Sequence, residues 1–398
     1  MNVAILGLGT VGSGVYHQLT NNINKIEIET DTKFDLSYGL VKEITPTIKR
    51  KFEKLKLTTN IMDILNDENV DCIIEVLGGI DFPYEVIKRA LQNKKNVVSA
   101  NKDLIALHGV ELMKIAKDNN CDFYFEASVA GGVPIIRSVT KGLASDYLYD
   151  IKGILNGTSN YILTKMSQEG LSYNDALQQA KDLGFAESDP TNDVAGYDAG
   201  RKVAILAMLC YHVDAKFSDV TCEGIENVTE NDIKIADSLG YEIKLIGHSH
   251  YEGGELYMSV SPSFVSKKHQ LANVSYEMNS IYVSGQLIGD VMLFGAGAGS
   301  NPTATAVLSD LLEVARNMKC HCNGRDIIIP TNKKEMTHGH RIDKYLFISD
   351  EKNLQTVLNT IPVIKHTKDY VISELTGAYA RKIASENNCK LYPIIDAK

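Results

Sequence analysis

Short apolar segments alternate with amphipathic ones over the first 130 residues of the chain. The segment Val70–Leu77 is nearly all apolar, which is typical of a strand buried on both faces of a parallel sheet. The other predicted strands are Val3–Leu6, Asp35–Val41, Asn96–Ala100 and Asp122–Val129, and the predicted helices are Val11–Leu19, Phe82–Gln92 and Leu104–Lys117. This alternation predicts an α/β domain over residues 1–130, built on a doubly wound parallel sheet.

The pattern changes between residues 131 and 300, where strands and helices no longer alternate. Pro134 follows two glycines and fits the first position of a helix. The predicted strands are Ile151–Leu155, Tyr241–His248, Glu255–Val260, Ser280–Ser284 and Val291–Phe294, and the predicted helices are Ser159–Gln168, Tyr173–Leu183 and Val194–Tyr211. This order predicts an α+β domain with a mixed sheet. The amphipathic helix Thr303–Met318 is expected to pack back onto the first domain, and a small β/α segment closes the chain at 340–398.

Charge and composition narrow the class of protein. A net charge of −9 and a pI near 5.6 argue against nucleic acid as the main partner. The sequence contains no uncharged stretch of about 18 apolar residues, so it predicts no membrane span. The first residues do not resemble a signal peptide. Seven scattered cysteines do not form a disulfide framework. We therefore expect a cytoplasmic protein that acts on a small molecule.

A glycine-rich loop directly follows the first predicted strand. Residues Gly7-Leu8-Gly9-Thr10-Val11-Gly12 match the pattern GxGxxG and lead straight into a helix. In this context the glycines allow a tight turn and close approach of the backbone to a pyrophosphate, which the helix N-terminus attracts. The loop predicts a Rossmann-type site for NAD or NADP that uses Gly7, Gly9, Thr10, Val11 and Gly12. A turn whose glycines serve packing alone is the alternative.

The end of the second strand is expected to select the cofactor. An acidic residue there favours NAD, whereas a cation favours the 2′-phosphate of NADP. Lys42 comes first after the strand, followed by Glu43, with Lys49 and Arg50 close behind. This order favours NADP, with NAD as the alternative.

Four of the polar residues between positions 187 and 202 are candidates for the chemistry of the site. Asp193 is predicted to cap a helix that begins at Val194. Asp198 and Lys202 then lie at i and i+4 on one face of that helix. Taken by itself, this pair is better explained as an ordinary salt bridge at an exposed helix start. Glu187 in the preceding acidic turn favours a lysine that moves a proton among carboxylates.

The sequence resembles the homoserine dehydrogenases over residues 1 to about 330. Five segments carry the resemblance: Gly7–Gly12, Ala100–Asp103, Glu126–Pro134, Asn156–Tyr161 and Glu187–Lys202. The resemblance implies an oxidoreductase of threonine, methionine and isoleucine biosynthesis. This enzyme would reversibly reduce L-aspartate 4-semialdehyde to L-homoserine with NAD(P)H, in the monofunctional form without a fused kinase.

The resemblance also implies roles for single residues. Lys202 would be the general acid and base, Asp198 would orient it, and Lys102 would lie near the nicotinamide and the substrate. A surface lysine at a helix start is the alternative for Lys102. Substrate binding would fall to Glu187, Asp193, Gly157 and Thr158, with Glu187 holding the α-ammonium group.

The loop at residues 126–133 is similar to the family's site for a monovalent cation, with sodium as the expected ion. A hard cation prefers oxygen ligands. The resemblance assigns the Glu126 carboxylate and the backbone carbonyls of Val129, Gly131 and Val133 to it. A glycine-rich turn whose glutamate faces water is the alternative.

The resemblance further implies a homodimer, and the alternation of Ser280–Ser284 suggests an edge or face that a second subunit covers. Many relatives end in a regulatory ACT domain, and Lys344–Ile348 fits its first strand. The tail is short and lacks a Pro-Gly turn, which predicts a small, degenerate ACT-like segment and leaves threonine feedback open.

Two rival functions remain at this point. A semialdehyde dehydrogenase needs an activated cysteine nucleophile, and its candidates Cys72, Cys121 and Cys210 lie in or beside apolar segments. A non-catalytic NAD(P)-binding regulator needs no proton donor, so Glu187, Asp198 and Lys202 together argue against it.

Overall fold

The structure is a computed structural model that describes residues 1–332, 334–337 and 342–397. Its strands are β1 (Asn2–Leu6), β2 (Asp35–Leu40), β3 (Lys56–Thr58), β4 (Cys72–Glu75), β5 (Asn96–Ser99), β6 (Phe123–Tyr124), β7 (Leu148–Ile154), β8 (Thr221–Cys222), β9 (Tyr241–Glu252), β10 (Glu255–Ser266), β11 (Met278–Gly285), β12 (Gly289–Ala296), β13 (Glu335–Met336), β14 (Ile342–Ile348), β15 (Lys365–His366), β16 (Tyr370–Thr376) and β17 (Lys390–Ile395). Its helices are α1 (Thr10–Asn21), α2 (Ile23–Thr30), α3 (Pro46–Lys51), α4 (Met62–Leu65), α5 (Asp81–Gln92), α6 (Lys102–Asp118), α7 (Ile135–Arg137), α8 (Gly157–Glu169), α9 (Tyr173–Asp182), α10 (Thr191–Val194), α11 (Tyr197–Tyr211), α12 (Glu230–Leu239), α13 (Ser300–Lys319), α14 (Glu351–Leu358) and α15 (Gly377–Glu386).

The described chain forms two compact units. The first comprises Met1–Ser145, Ile205–Phe217 and Gly295–Asn332, and the second comprises the segments between and after them. The first unit thus extends past the boundary predicted at residue 130 and includes two later segments.

The first unit contains a six-stranded sheet of order β3-β2-β1-β4-β5-β6. All neighbouring strands are parallel. This is the doubly wound Rossmann order, so the predicted α/β sheet is confirmed. The order reverses between β1 and β4, and sheets of this kind bind ligands outside the carboxyl ends of the strands at such a point.

Helix α13 packs against the first unit. Its buried residues Val307 and Leu311 share one apolar core with Val3 and Ile74 of the parallel sheet. Gly14 of α1 permits the close crossing of the two helices, because a Cβ at this position would lie 2.6 Å from Ser300 Oγ.

The second unit is built on an eleven-stranded mixed sheet, which confirms the predicted mixed-sheet domain. Its main path runs β12-β11-β7-β9-β10-β17-β14-β16-β15, and β8 and β13 pair with β10. The pairs of β11 with β7, β7 with β9 and β9 with β10 are antiparallel, whereas β10 and β17 are parallel.

The last strands of this sheet belong to a βαββαβ segment formed by β14, α14, β15, β16, α15 and β17. Its strand order, β17-β14-β16-β15, is that of the split βαβ arrangement. The predicted start of this segment at residue 340 lies outside the described residues. Strand β17 continues the main sheet by pairing with β10 at Phe264–Ile394 and Val265–Ile395.

Two local predictions were wrong. The strand predicted at 122–129 ends at Tyr124, and a 3-10 turn follows at Glu126–Ser128. The chain turns there because the Glu126 carboxylate accepts hydrogen bonds from the backbone N–H groups of Ile136 and Arg137. Pro134 directly precedes α7 and does not occupy its first position.

The prediction that Ser280–Ser284 forms a sheet edge was wrong, whereas a face covered by a second subunit stays a prediction. Strand β11 has β12 on one side and β7 on the other, and Ser280, Ile281, Val283 and Ser284 are all buried. The end strand on this side is β12, whose Phe294 is exposed.

No helix among the described residues is both long enough and apolar enough to cross a membrane.

Candidate active site

The loop after β1 has the close contacts that only glycine allows. Gly7 has a φ of 93°, and a Cβ there would lie 2.8 Å from the carbonyl oxygen of Val76. A Cβ on Gly12 would lie 1.9 Å from the carbonyl oxygen of Gly7. A Cβ on Gly9 would meet nothing within 4 Å. The first and third glycines therefore serve packing, and the second leaves open space in which a phosphate fits.

Helix α1 begins with Thr10 and Val11, and its N-cap residue Gly9 offers no side chain to the first turn. The first N–H groups of a helix have no partner within the helix and attract anions. This helix start therefore fits the pyrophosphate of NAD(P). Lys42 is exposed two residues after the end of β2, close to the place where the ribose selector is expected.

Asp198 and Lys202 form a buried pair in the first turns of α11. Lys202 Nζ donates hydrogen bonds to Asp198 Oδ2 at 2.7 Å and to the carbonyl oxygen of Leu155 at 2.7 Å. The two side chains are only 8% and 10% exposed, respectively. An ordinary surface salt bridge is therefore excluded. Burial of such a pair costs free energy that close hydrogen bonds must offset.

Asn156 links two carboxylates of this site. Its Nδ2 donates to Asp193 Oδ1 at 2.7 Å and to Asp198 Oδ2 at 2.9 Å. Its Oδ1 accepts from the N–H of Ser159 and so caps α8. Sequence reasoning missed this role, because Asn before a helix indicates only a cap. The two carboxylates lie 37 and 42 positions away along the chain.

The predicted helix start at Val194 was wrong. Residues Thr191–Val194 form the separate short helix α10, and α11 begins at Tyr197. The break falls at Gly196, which has a φ of 80° and lies against Val260, where a Cβ would approach to 2.9 Å. Asp193 is therefore not the N-cap of α11. Its carboxylate accepts the hydrogen bond from Asn156 instead.

The first turn of α8 supports the turn that carries Glu187. The hydroxyl group of Thr158 donates to the carbonyl oxygen of Phe185 at 2.6 Å. Gly157 begins the helix, and a Cβ there would lie 2.6 Å from the carbonyl oxygen of Glu277. Glu187 is exposed. Its carboxylate can therefore meet a ligand without first losing a buried partner.

Lys102 is the first residue of α6, which follows β5 at the carboxyl edge of the parallel sheet. Asn101 caps this helix, because its side chain accepts a hydrogen bond from the N–H of Leu104 at 3.2 Å. Lys102 itself is half-buried, and both its predicted place near the nicotinamide and the alternative of a surface lysine at a helix start stay open.

Glu126 is buried rather than facing water, with 2% of its surface exposed. Its two carboxylate oxygens accept hydrogen bonds from the N–H groups of Ile136 at 2.8 Å and Arg137 at 2.7 Å. The pKa of Glu126 is raised to about 7, mainly by burial and to a smaller extent by the nearby Asp310 carboxylate. A carboxylate has further lone pairs beyond these two bonds, so the residue fits an additional cation that would offset its buried charge.

The loop after Glu126 supplies mainly backbone oxygens. Ala130 and Gly131 have positive φ angles of 54° and 51°, and a Cβ on Gly131 would lie 2.5 Å from the carbonyl oxygen of Gly297. Clusters of three or more His, Cys, Asp or Glu side chains suited to a metal do not occur in the described part of the chain. Any ion at this loop must therefore depend on carbonyl groups such as those of Val129 and Val133.

The three candidate cysteine nucleophiles are unsuited to thiolate chemistry. Burial raises the pKa of Cys121 to about 12 and raises the pKa values of Cys72 and Cys210 as well. Since the thiolate is the nucleophile, these thiols are inert near neutral pH. The semialdehyde dehydrogenase alternative is therefore not favoured.

Comparison with known proteins identifies the family of the chain. The family model described as "Homoserine dehydrogenase, NAD binding domain" matches residues 7–126, and the model described as "Homoserine dehydrogenase" matches residues 134–312. A homoserine dehydrogenase of Bacillus subtilis is 44% identical over 336 residues, which cover 84% of this chain and 78% of that protein.

Two solved structures extend the comparison. The crystal structure of a homoserine dehydrogenase from Thiobacillus denitrificans superposes with a TM-score of 0.92 at 29% identity, over 100% of this chain and 98% of that chain. A hyperthermophilic archaeal homoserine dehydrogenase in complex with NADPH has a TM-score of 0.66 at 26% identity, over 79% and 97% of the two chains. The chain belongs to the homoserine dehydrogenase family, which comprises NAD(P)-dependent oxidoreductases acting on a CH–OH group.

Proposed function

We propose that the buried network of Lys202, Asp198, Asn156 and Asp193 is the proton-transfer centre for the reversible reduction of L-aspartate 4-semialdehyde to L-homoserine. The observation that carries this proposal is the buried Lys202–Asp198 pair, in which Lys202 Nζ and Asp198 Oδ2 lie 2.7 Å apart. An aldehyde becomes an alcohol by gaining a hydride at carbon and a proton at oxygen. The reduced nicotinamide supplies the hydride when it is bound, and the chain must supply the proton.

Lys202 is suited to donate that proton. Its ammonium group has three N–H donors, of which two are bonded to Asp198 and Leu155. One N–H therefore remains for the aldehyde oxygen, where the charged donor stabilises the developing negative charge. Asp198 fixes the direction of the lysine side chain, and Asn156 in turn fixes Asp198. In the reverse reaction the same lysine accepts the proton from the hydroxyl group.

Glu187 and Asp193 are proposed to bind the α-ammonium group of the substrate. Glu187 is exposed on the turn that Thr158 supports, and a carboxylate forms strong charge-assisted hydrogen bonds with an ammonium group. Gly157 and Thr158 are the first residues of α8, where backbone N–H groups have no partner inside the helix. These donors suit the substrate's α-carboxylate.

For the cofactor we propose NADP over NAD. Lys42 is exposed at the end of β2, where a cation favours the 2′-phosphate. The NADPH in the related archaeal structure supports the same choice. Lys102 is proposed to contribute a second cation at the carboxyl edge of the parallel sheet, where the nicotinamide end is expected.

We also propose that a monovalent cation, with sodium as the expected ion, binds Glu126 and the carbonyl groups of Val129, Gly131 and Val133. The burial of Glu126, whose carboxylate accepts hydrogen bonds from two backbone N–H groups, supports this, because a cation would offset the charge of the buried carboxylate. A homodimer is proposed as well. The exposed Phe294 of the end strand β12 supports an apolar contact there, and sedimentation at micromolar concentration tests it.

The experiment that tests the proposed reaction follows the absorbance of the reduced nicotinamide. The purified protein is mixed with L-aspartate 4-semialdehyde and either NADPH or NADH, and with L-homoserine and either oxidised cofactor for the reverse direction. We expect cofactor oxidation with the semialdehyde alone, without a thiol, phosphate or coenzyme A, and we expect it to survive thiol-blocking reagents. Turnover that stops on thiol alkylation would favour the cysteine mechanism. Cofactor binding without any turnover would favour the regulatory alternative.

A further inference from the structure

Glu75 is a buried carboxyl group at the point where the order of the parallel sheet reverses. It is the last residue of β4, pairs with Leu6 at the end of β1 and with Ser99 at the end of β5, and is 0% exposed. The three preceding residues of the strand, Cys72-Ile73-Ile74, are apolar. Burial raises the pKa of Glu75. An acidic side chain here costs free energy that a fourth apolar residue would not.

The partners of Glu75 are neutral groups. Its Oε2 accepts a hydrogen bond from the hydroxyl group of Ser99 at 2.6 Å, and its Oε1 accepts from the N–H of Leu77 at 2.8 Å. Across the described ranges of the chain, no lysine, arginine or histidine forms an ion pair with this carboxyl group. Salt-bridge stability therefore does not account for it. A perturbed, unpaired carboxyl group at the ligand edge of an open α/β sheet points to a role at the site.

A chain of hydrogen bonds leads from Glu75 to the start of α6. Ser99 Oγ accepts from the N–H of Asn101 at 3.1 Å. The Asn101 side chain caps α6 through the N–H of Leu104, and its Nδ2 donates to the carbonyl oxygen of Gly79 at 2.7 Å. One buried carboxyl group thus ties together the ends of two strands, the turn after β4 and the helix that begins with Lys102.

We propose that Glu75 is a positioning residue that sets Lys102 through Ser99 and Asn101. Its carboxyl group accepts a hydrogen bond from the Ser99 hydroxyl group, which orients Ser99 Oγ to accept from the N–H of Asn101. Asn101 then fixes the backbone at the first residue of α6, from which the Lys102 side chain extends. The inference rests on the role proposed above for Lys102 toward substrate and cofactor, and it adds the residues that make this role possible.

The test is a double-mutant cycle between Glu75→Gln and Lys102→Ala, measured as kcat/KM for L-aspartate 4-semialdehyde at saturating NADPH. Gln has the same shape as Glu but cannot offer two acceptor oxygens. We expect Glu75→Gln to lower kcat/KM about tenfold in the wild-type background and less than about twofold in the Lys102→Ala background, since residues that act through one another are not additive. Ser99→Ala should show the same pattern.

Asp122→Asn is the matched control. Asp122 is also a 0% exposed carboxyl group of the same unit with a pKa raised by burial, but it directly precedes β6, at the opposite edge of the sheet. Its carboxylate accepts from Asn317, Asn323 and the N–H of Gly324. This variant should lower the melting temperature yet leave kcat/KM within about twofold, because its partners stabilise only the fold.

The outcomes separate the two proposals. A Lys102→Ala enzyme with wild-type kcat/KM overturns the role of Lys102, and the inference with it. If the fold-losses in kcat/KM of Lys102→Ala and Glu75→Gln multiply in the double variant, Glu75 acts independently of Lys102. That result overturns the inference about Glu75 and leaves the role of Lys102 intact. If Glu75→Gln yields no folded protein, the Ser99→Ala cycle decides by the same criterion.

Discussion

Replacing Asn156 separates its role as a helix cap from its role at the site. A cap contributes about 1 kcal/mol, and a hydrogen bond to an ionised group contributes roughly 1.5–3 kcal/mol. Asn156 makes one cap bond and two bonds to carboxylates. Asn156→Ala should therefore lower the free energy of unfolding by about 4–7 kcal/mol. Asn156→Ser keeps the cap, since Ser caps as well as Asn, and should lose about 1 kcal/mol less.

The two variants should nevertheless lose activity equally. Neither Ala nor Ser reaches both Asp193 and Asp198, so Asp198 loses the group that fixes its direction toward Lys202. We expect kcat/KM for the semialdehyde to fall at least about tenfold in both, equivalent to about 1.4 kcal/mol. The assay combines urea denaturation with initial rates of NADPH oxidation at a temperature where every variant is folded.

Ser172→Ala is the control for capping alone. Ser172 caps the next helix, α9, through the N–H of Asp175, and it has no contact with the carboxylate network in the described chain. Its loss should cost about 1 kcal/mol of stability and leave kcat/KM unchanged. If Asn156→Ser recovers activity together with the cap, Asn156 matters only for folding and the positioning role is refuted.

Three further predictions concern the substrate, the cofactor and the ion. Glu187→Gln should chiefly raise KM for the semialdehyde and leave kcat near its wild-type value, since its role is ground-state binding; an unchanged KM would contradict that role. Lys42→Ala should raise the KM for NADPH more than that for NADH, and equal effects would mean that the residue points elsewhere. Burial raises the pKa of Glu126 from 4.5 to about 7. Between these two pH values the folded protein holds a proton that the unfolded chain has released. The free energy of unfolding should therefore fall as the pH rises from about 4.5 to about 7. A cation that binds the ionised carboxylate should counteract this loss of stability. NaCl should therefore raise the melting temperature, relative to choline chloride, more at pH 8 than at pH 6. A salt effect that does not depend on pH would count against the site.

The parallel sheet could be predicted because its signals are local. Each buried strand is a short apolar run. The glycines at positions 7, 9 and 12 have the spacing of the dinucleotide-binding turn between a strand and a helix. The break at Gly196 could not be predicted in the same way, because it depends on Val260 of a distant strand. Helix propensity gives no sign of that contact.

The hydrogen-bond partners of the buried polar side chains are the part of the site that could not be predicted from the sequence. The Asp198–Lys202 spacing predicts that the two side chains share a helix face, but it does not say whether this face is buried. The strand predicted up to Val129 ends at Tyr124, before Glu126. The hydrogen-bond partners of Glu126, the N–H groups of Ile136 and Arg137, lie ten and eleven residues further along the chain. Long-range hydrogen bonds of this kind decide where polar groups are placed, and they have no local pattern.

The most direct measurement is the turnover of Lys202→Ala with L-aspartate 4-semialdehyde and NADPH. Removing the general acid should lower kcat by about a hundredfold or more, and the Kd of NADPH, read from its fluorescence, should barely change. Asp198→Asn should act in the same direction but more mildly, and the double variant should be no worse than Lys202→Ala alone. A Lys202→Ala protein that is folded, binds NADPH and turns over at nearly the wild-type rate would contradict the assignment of Lys202 as the proton donor.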